Sequence, residues 1–270
     1  MKKNILLSYL VLLCFVCCRN PELPELEKPV VDVSFNQESI GTFDRNDIKR
    51  LFPNVLWAET HDRGEIVEDE ERGNVLQVKY PKGSIGPKQG GIEFVVTLPS
   101  NKEYYLDYYI KFDSNFDFQK GGKLLGLASD NGLFSGGKIP TEEEGGWSSR
   151  TMFGDGRNPF THYLYYVDMK TVWGESVYFN SPVFERDRWY RITHYVRLND
   201  VNRKNALVRI WVNERLAFEK KGFRLRSGNK GILDTFTFVT FHGGNTIDFA
   251  PDNDSYAFFD NIRITKKKPF

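Results

Sequence analysis

The sequence predicts an all-β protein, a jelly roll or two-sheet antiparallel sandwich. From Val30 onward, short runs that alternate apolar and polar residues follow one another, and turn-forming residues separate them. Almost no segment has the 3.6-residue period of an amphipathic helix. So many short strands within about 240 residues are typical of a single sandwich or jelly roll.

Two predicted strands show the alternation most clearly. Residues 104–112 place tyrosine, leucine, isoleucine and phenylalanine on one face, and residues 190–198 repeat the pattern with His194 on the apolar side. We therefore expect His194 to be a hydrogen-bonded core residue. Further strands are predicted at 75–80, 92–98, 207–212, 235–241 and 256–264. One short helix is predicted, from Asp44 to Leu51, with Asp44 as its capping residue.

Charge and hydropathy exclude two classes of protein. The 37 basic and 36 acidic residues among 270 leave a formal charge of +1, so we expect no nucleic-acid partner, whose phosphates require an excess of cations. Beyond the N-terminus, no apolar stretch approaches the ~20 residues that span a bilayer. Any anionic ligand must therefore meet a local cluster of cations.

The first eighteen residues read as a signal peptide. Lys2 and Lys3 precede an apolar core at 5–16, the arrangement typical of exported proteins. The end of this segment resembles a bacterial lipidation site, for which Cys18 fits better than Cys17. A plain secretory signal is the alternative.

This N-terminus predicts an exported protein that a lipid anchors to a bacterial membrane, at the outer membrane or cell surface. Residues 19–29 are rich in proline and acidic residues and read as an extended tether. Residues 30–270 are predicted to form a single domain. Because all three cysteines lie within the first eighteen residues, this domain has neither a disulfide nor a cysteine metal site.

We expect no metal and no cofactor. The four histidines lack metal-ligand spacing, and the acidic run at 252–254 lacks the glycine and the distal glutamate of a calcium loop. Nucleophile-elbow and phosphate-loop motifs are absent from the sequence. Asp107 with Asp117, or the glutamates at 142–144, would supply the carboxylate pair of a glycosidase, but their spacing does not single them out.

The middle of the chain gathers cations and phenols. Lys123 lies between two glycines and an apolar strand, Ser148 and Arg150 are two residues apart, and so are Tyr163 and Tyr165. Residues two apart on a strand share a face. If the second and third of these segments pair as neighbouring strands, all four residues line one sheet face beside Lys123.

Such a group suits β-elimination on an acidic sugar. Removal of the proton at C5 of a uronate creates a second negative charge beside the carboxylate, which a bound cation stabilises. A base must take the C5 proton, and an acid must protonate the departing C4 oxygen. From the residues alone, surface cations and core tyrosines remain an alternative.

These segments resemble polysaccharide lyase family 14, the alginate and glucuronan lyases with a β-jelly-roll fold. The resemblance covers about residues 106–264. It is carried by a series of short blocks: Gly121–Leu127, Ser135–Gly137, Ser148 with Arg150, Tyr163 with Tyr165, Trp189 to Asn199, Phe241–Gly244, Ala250–Pro251 and Phe259–Asn261. The sequence departs from the family pattern at Leu125, at Phe153 and in the acidic loop 138–146.

The resemblance implies a catalytic set of Lys123, Ser148, Arg150, Tyr163 and Tyr165. We expect Lys123 and Arg150 to act as the electrostatic pair, a tyrosine to carry protons and Ser148 to orient the carboxylate, although the resemblance leaves open whether Lys123 is the base. His162, which precedes Tyr163, and His242, which lies within Phe241–Gly244, are predicted to contact substrate.

The expected activity is therefore cleavage of an alginate- or glucuronan-type polyuronate by a monomeric protein whose partner is this anionic polysaccharide. Three alternatives remain at this stage. They are a non-catalytic glycan-binding lipoprotein with the same fold, a glycoside hydrolase and a structural surface protein.

Overall fold

The computed structural model describes residues 28–155, 160–179 and 185–270. The predicted signal peptide, Cys18 and nearly all of the predicted tether lie outside the described residues.

In the described residues the chain forms sixteen strands. In chain order they are β1 (Val31–Val33), β2 (Gly41–Thr42), β3 (Val55–Glu59), β4 (Gly64–Asp69), β5 (Gly73–Tyr80), β6 (Ile92–Asn101), β7 (Glu103–Phe112), β8 (Gly122–Ala128), β9 (Ser148–Phe153), β10 (Phe160–Tyr165), β11 (Glu175–Tyr178), β12 (Tyr190–Arg197), β13 (Ala206–Val212), β14 (Arg215–Phe223), β15 (Leu233–His242) and β16 (Ser255–Thr265). All seven strands predicted by range are present, and the ends of each lie within three residues of the prediction.

These strands form two antiparallel sheets. The first sheet has the order β14-β13-β12-β7-β16-β5-β4-β2, and β1 pairs with the end of β16. The second has the order β11-β10-β9-β8-β15-β6-β3. The sandwich that the sequence predicts is therefore confirmed.

The core lies between the two sheets. The apolar face predicted for β7 is buried, from Tyr104 through Phe112. The second sheet contributes rings such as Phe94 and Phe238, which stack with centroids 4.8 Å apart. Burial of each such side chain stabilises the fold by roughly 1.5–3 kcal/mol. This face of the second sheet is committed to the core, and its other face is available for a ligand.

The predicted helix is confirmed as α1 (Arg45–Leu51). The Asp44 side chain accepts from the backbone N–H of Asp47, and Asp47 accepts from Asp44 in return, which is a capping box. A second helix, α2 (Gly86–Gln89), was not predicted because four residues carry no measurable periodicity. Within the described ranges, no helix is long and apolar enough to cross a membrane.

Candidate active site

Three neighbouring strands bring the predicted residues together. In the β9–β10 pair, Arg150 lies opposite Tyr163 and Ser148 opposite Tyr165. On the other side of β9, Lys123 of β8 lies opposite Met152. The strand pairing that the spacing predicts is therefore confirmed.

This group faces away from the first sheet. The alternate residues of β9 point into the core, where the Thr151 hydroxyl lies 2.6 Å from the Tyr108 hydroxyl of β7. Arg150 and Tyr163, which have the opposite parity, therefore lie on the outer face of the second sheet. That face forms the floor of a groove.

The groove has a volume of about 260 Å³. Lys123, Arg150 and Tyr163 line it at one end, and the exposed Trp57 of β3 lies at the other. Among the described lining residues, Glu93 is the one carboxylate, and burial raises its pKa. The groove therefore brings two basic side chains together with a single carboxylate among its described lining residues.

Lys123 is held without a carboxylate partner in the described part of the chain. Its Nζ lies 3.5 Å from the centre of the Tyr163 ring and 3.3 Å from Met152 Sδ. Burial of the ammonium, and then repulsion from Arg150, hold the pKa of Lys123 well below its ordinary value of 10.5. Lys123 is thus disposed to be an uncharged amine, which can accept a proton.

Arg150 is the second basic residue of the groove, and only 5% of its surface is exposed. Burial lowers the pKa of Arg150 below its ordinary value, and the nearby Tyr163 opposes this effect, yet a guanidinium stays charged in proteins. Within residues 28–155, 160–179 and 185–270, it forms no ion pair with a carboxylate. A buried, uncompensated charge is costly, and an anionic ligand would remove that cost.

Tyr163 and Tyr165 form a hydrogen-bonded pair of phenols, with 3.3 Å between their hydroxyl oxygens. The backbone N–H of Gly174 donates to the Tyr163 oxygen over 3.1 Å, and that of Gly137 donates to the Tyr165 oxygen over 2.9 Å. Burial raises the pKa of Tyr163 above its ordinary value of 10.0. Tyr163 is therefore protonated at neutral pH and suited to donate a proton.

Ser148 lies on the same face but is almost fully buried. Its hydroxyl donates to the carbonyl oxygen of Phe134. This bond fastens the loop that follows β8 and uses the hydroxyl proton within the protein. The Ser148 hydroxyl proton is therefore not free to bind a substrate carboxylate.

The two histidines predicted to contact substrate lie in the interior. His162 Nε2 and His194 Nε2 both hydrogen-bond the Ser149 hydroxyl, at 2.9 and 2.8 Å. His242 Nε2 donates to the carbonyl oxygen of Asp117 over 2.6 Å. The structure thus does not bring His162 or His242 to the groove, and it confirms His194 as a buried, hydrogen-bonded residue.

These histidines predict acid-sensitive stability. Burial lowers the pKa of His194 to about 3 and that of His242 to about 4, from 6.5. Below pH 6.5 these two histidines become protonated in the unfolded chain but stay neutral in the folded protein. Their contribution to the free energy of unfolding is therefore fully present above pH 6.5 and is lost progressively as the pH falls toward 3. At pH 5 we expect a loss of about 2 kcal/mol from each ring relative to pH 7.5. Urea unfolding at the two pH values measures it, and an unchanged free energy of unfolding would contradict it.

The carboxylates considered from the sequence lie elsewhere and have partners. Asp107, in the first sheet, accepts from Arg191 over 2.9 Å. In the acidic loop, Glu142 pairs with Arg224, and Glu144 pairs with Lys138 at 3.4 Å. The loop's charge is therefore partly neutralised, and a second carboxylate for hydrolysis is missing from the described groove lining.

A comparison with protein families decides the identity. The family model for polysaccharide lyase 14 matches residues 68–262, well over half of the sequence. The chain belongs to polysaccharide lyase family 14. It is therefore a polysaccharide lyase, and the matched range contains all five residues of the predicted catalytic set.

Solved structures of lyases share the fold of this family member. The alginate lyase Aly36B is 23% identical with a TM-score of 0.77, covering 89% of this chain and 98% of its own. The PL-14 alginate lyase from Aplysia kurodai is 23% identical with a TM-score of 0.75, covering 89% and 100%. The endo-β-1,4-glucuronan lyase of the fungus Trichoderma reesei is 10% identical with a TM-score of 0.50, covering 85% and 95%. The comparison with curated proteins finds no match.

Proposed function

We propose that this family member cleaves an alginate- or glucuronan-type polyuronate by β-elimination in the groove of the second sheet. The observation that carries the proposal is the proximity of two basic side chains, Lys123 and Arg150, to the phenols of Tyr163 and Tyr165. Neither basic side chain has a carboxylate partner within the described residues. Structurally similar lyases described as acting on alginate and on glucuronan support this substrate class.

Arg150 binds the uronate carboxylate in this proposal. Its buried guanidinium presents a planar set of donors that matches a carboxylate. When the C5 proton leaves, negative charge spreads onto that carboxylate, and the fixed, buried cation of Arg150 stabilises it strongly.

Lys123 takes the C5 proton. The lowered pKa of Lys123 favours its amine form, and an amine with a pKa near the working pH is an efficient base. This assignment differs from the electrostatic role that we preferred from the sequence. The environment of the side chain, which spacing alone does not reveal, is the reason for the change.

Tyr163 protonates the departing C4 oxygen. It lines the groove, whereas Tyr165 is fully buried behind it. If the Tyr165 hydroxyl donates to the Tyr163 oxygen, the Tyr163 proton is left free for the substrate. The Lys123 ammonium then returns its proton to the Tyr163 phenolate, which restores both groups.

The test is an ultraviolet time course with the purified protein. The substrates are alginate, polymannuronate, polyguluronate, glucuronan, hyaluronan and pectate, with carboxyl-reduced alginate as the matched control. We expect absorbance from a new C4–C5 double bond on at least one polyuronate and none on the reduced polymer. No signal on any polyuronate would overturn the proposed function, and retarded migration in affinity gels would then favour a glycan-binding protein.

Replacing Tyr163 by phenylalanine tests the proton donor. Removing one hydroxyl keeps the ring under Lys123, so we expect kcat to fall by about 10²- to 10⁴-fold, with little change in the unfolding midpoint. Steady-state kinetics on the best substrate measure the effect, with Tyr178→Phe, on the exposed β11, as the matched control. A wild-type rate in Tyr163→Phe would move the proton-donor role to Tyr165.

We also propose that the mature protein is lipid-anchored through Cys18. The apolar segment and the cysteines that end it support this proposal. Metabolic labelling with a fatty acid should mark the wild-type chain and not Cys18→Ser, and equal labelling of the two would point to Cys17.

A further inference from the structure

Two loops reach the phenol pair from outside the sheet, and each contributes a glycine. Gly137 lies in the β8–β9 loop, three residues after Phe134, which Ser148 holds, and Gly174 directly precedes β11. Each presents one backbone N–H to one phenol oxygen, Gly137 to Tyr165 and Gly174 to Tyr163. The catalytic phenols thus accept hydrogen bonds from two fixed backbone donors.

The proposed reaction creates a negative charge on Tyr163 that these two N–H donors can stabilise. When Tyr163 gives its proton to the C4 oxygen, the C4–O bond breaks and a phenolate remains on Tyr163. Backbone N–H groups directed at an oxygen that becomes negative stabilise it without reorganising, as in the oxyanion holes of acyl-transfer enzymes. The Gly174 donor acts on the phenolate directly, and the Gly137 donor acts through the Tyr165 hydroxyl.

The positions of both donors require glycine. A Cβ added at Gly174 would lie 2.7 Å from ring atoms of both Tyr163 and Tyr165. Gly137 has a φ of +93°, and a Cβ there would lie 2.9 Å from the Trp173 ring. Side chains at these positions would displace the loops from the phenols.

Trp173 connects the two loops. Its backbone precedes Gly174, while its indole ring lies against the α-carbon side of Gly137. The Thr171 hydroxyl donates to the Trp173 carbonyl oxygen and closes the turn. Trp173 keeps these contacts although 52% of its surface is exposed, an unusual place for so large an apolar ring.

We infer that the N–H groups of Gly137 and Gly174 form a phenolate-stabilising pair, and that Trp173 is a positioning residue that holds both N–H groups against the catalytic phenols. This inference rests on the proposed function, because the phenolate arises only if a tyrosine is the proton donor.

The test is a double-mutant cycle on kcat. Trp173→Ala should lower kcat by about 10- to 100-fold and leave KM within about threefold of wild type. In a background where Tyr163→Phe and Tyr165→Phe remove both hydroxyls, Trp173→Ala should have no further effect, because its action passes through them. Trp173→Phe, which keeps a ring against Gly137, should recover most of kcat.

Val172→Ala is the matched control. Val172 precedes Trp173 in the same turn and is 66% exposed, so wild-type kcat is expected. A kcat loss for Trp173→Ala that is as large in the background lacking both hydroxyls, or that Val172→Ala reproduces, would overturn the inference alone. If the wild-type protein forms no double bonds on any polyuronate, the proposed function fails and the inference fails with it.

Discussion

Lys123→Ala is expected to abolish double-bond formation, with kcat falling by about 10³- to 10⁴-fold. In the proposed mechanism the amine takes the C5 proton, and the described groove lining offers no second basic group at its position: Arg150 stays charged, and the Tyr163 phenol is protonated. The measurement is the ultraviolet rate at saturating substrate. Affinity gels should still show binding, because Arg150 remains.

Removal of the Lys123 amine with its stem volume kept, as in Lys123→Met, should not destabilise the fold. Lys123 is a buried amine without a carboxylate partner in the described chain, so its removal relieves a desolvation cost. We expect an unfolding midpoint equal to or above that of wild type for Lys123→Met, which keeps the volume of the stem. Lys120→Ala, which removes a nearby exposed lysine that pairs with Asp248, is the control and should retain activity. Wild-type rates in Lys123→Ala would remove the base from the proposed mechanism.

Arg150→Ala is expected to lower kcat/KM by about 10²- to 10³-fold. In the proposed mechanism its loss leaves the uronate carboxylate without a fixed cation, both in the ground state and when charge develops. Steady-state kinetics should show a raised KM together with a lowered kcat.

Arg150→Lys separates charge from geometry. It keeps a cation but loses the planar donor set, so we expect a rate between wild type and Arg150→Ala. Arg209 lies on the first sheet and pairs with Glu219, so Arg209→Ala should leave kcat/KM unchanged. Equal rates for Arg150→Ala and wild type would place the carboxylate site elsewhere.

The arrangement of the site could be predicted because strands have a period of two. Ser148 with Arg150, and Tyr163 with Tyr165, share a face on any strand, and the observed pairing of β9 with β10 then places the four side by side. The same alternation places His162 on the opposite face of β10 from Tyr163. The burial of His162 could therefore be predicted from the sequence. The prediction that His162 contacts substrate does not take this alternation into account.

Other features of the site depend on contacts between distant segments. The positions of Gly137 and Gly174 against the phenols come from loop conformations, which carry no periodic signal. The lowered pKa of Lys123 arises from burial and from Arg150 on a neighbouring strand. The two residues that depart from the family pattern, Leu125 and Phe153, are both buried in the core, so these differences concern packing and leave the groove intact.

The central claim is that Lys123 works as an unprotonated amine, and the pH dependence of kcat/KM tests it most directly. The lowered pKa of Lys123 predicts that activity falls only when the pH drops well below 10.5, the ordinary pKa of a lysine. Activity that is low at neutral pH and climbs until about pH 10, the ordinary titration of a lysine, would contradict the account.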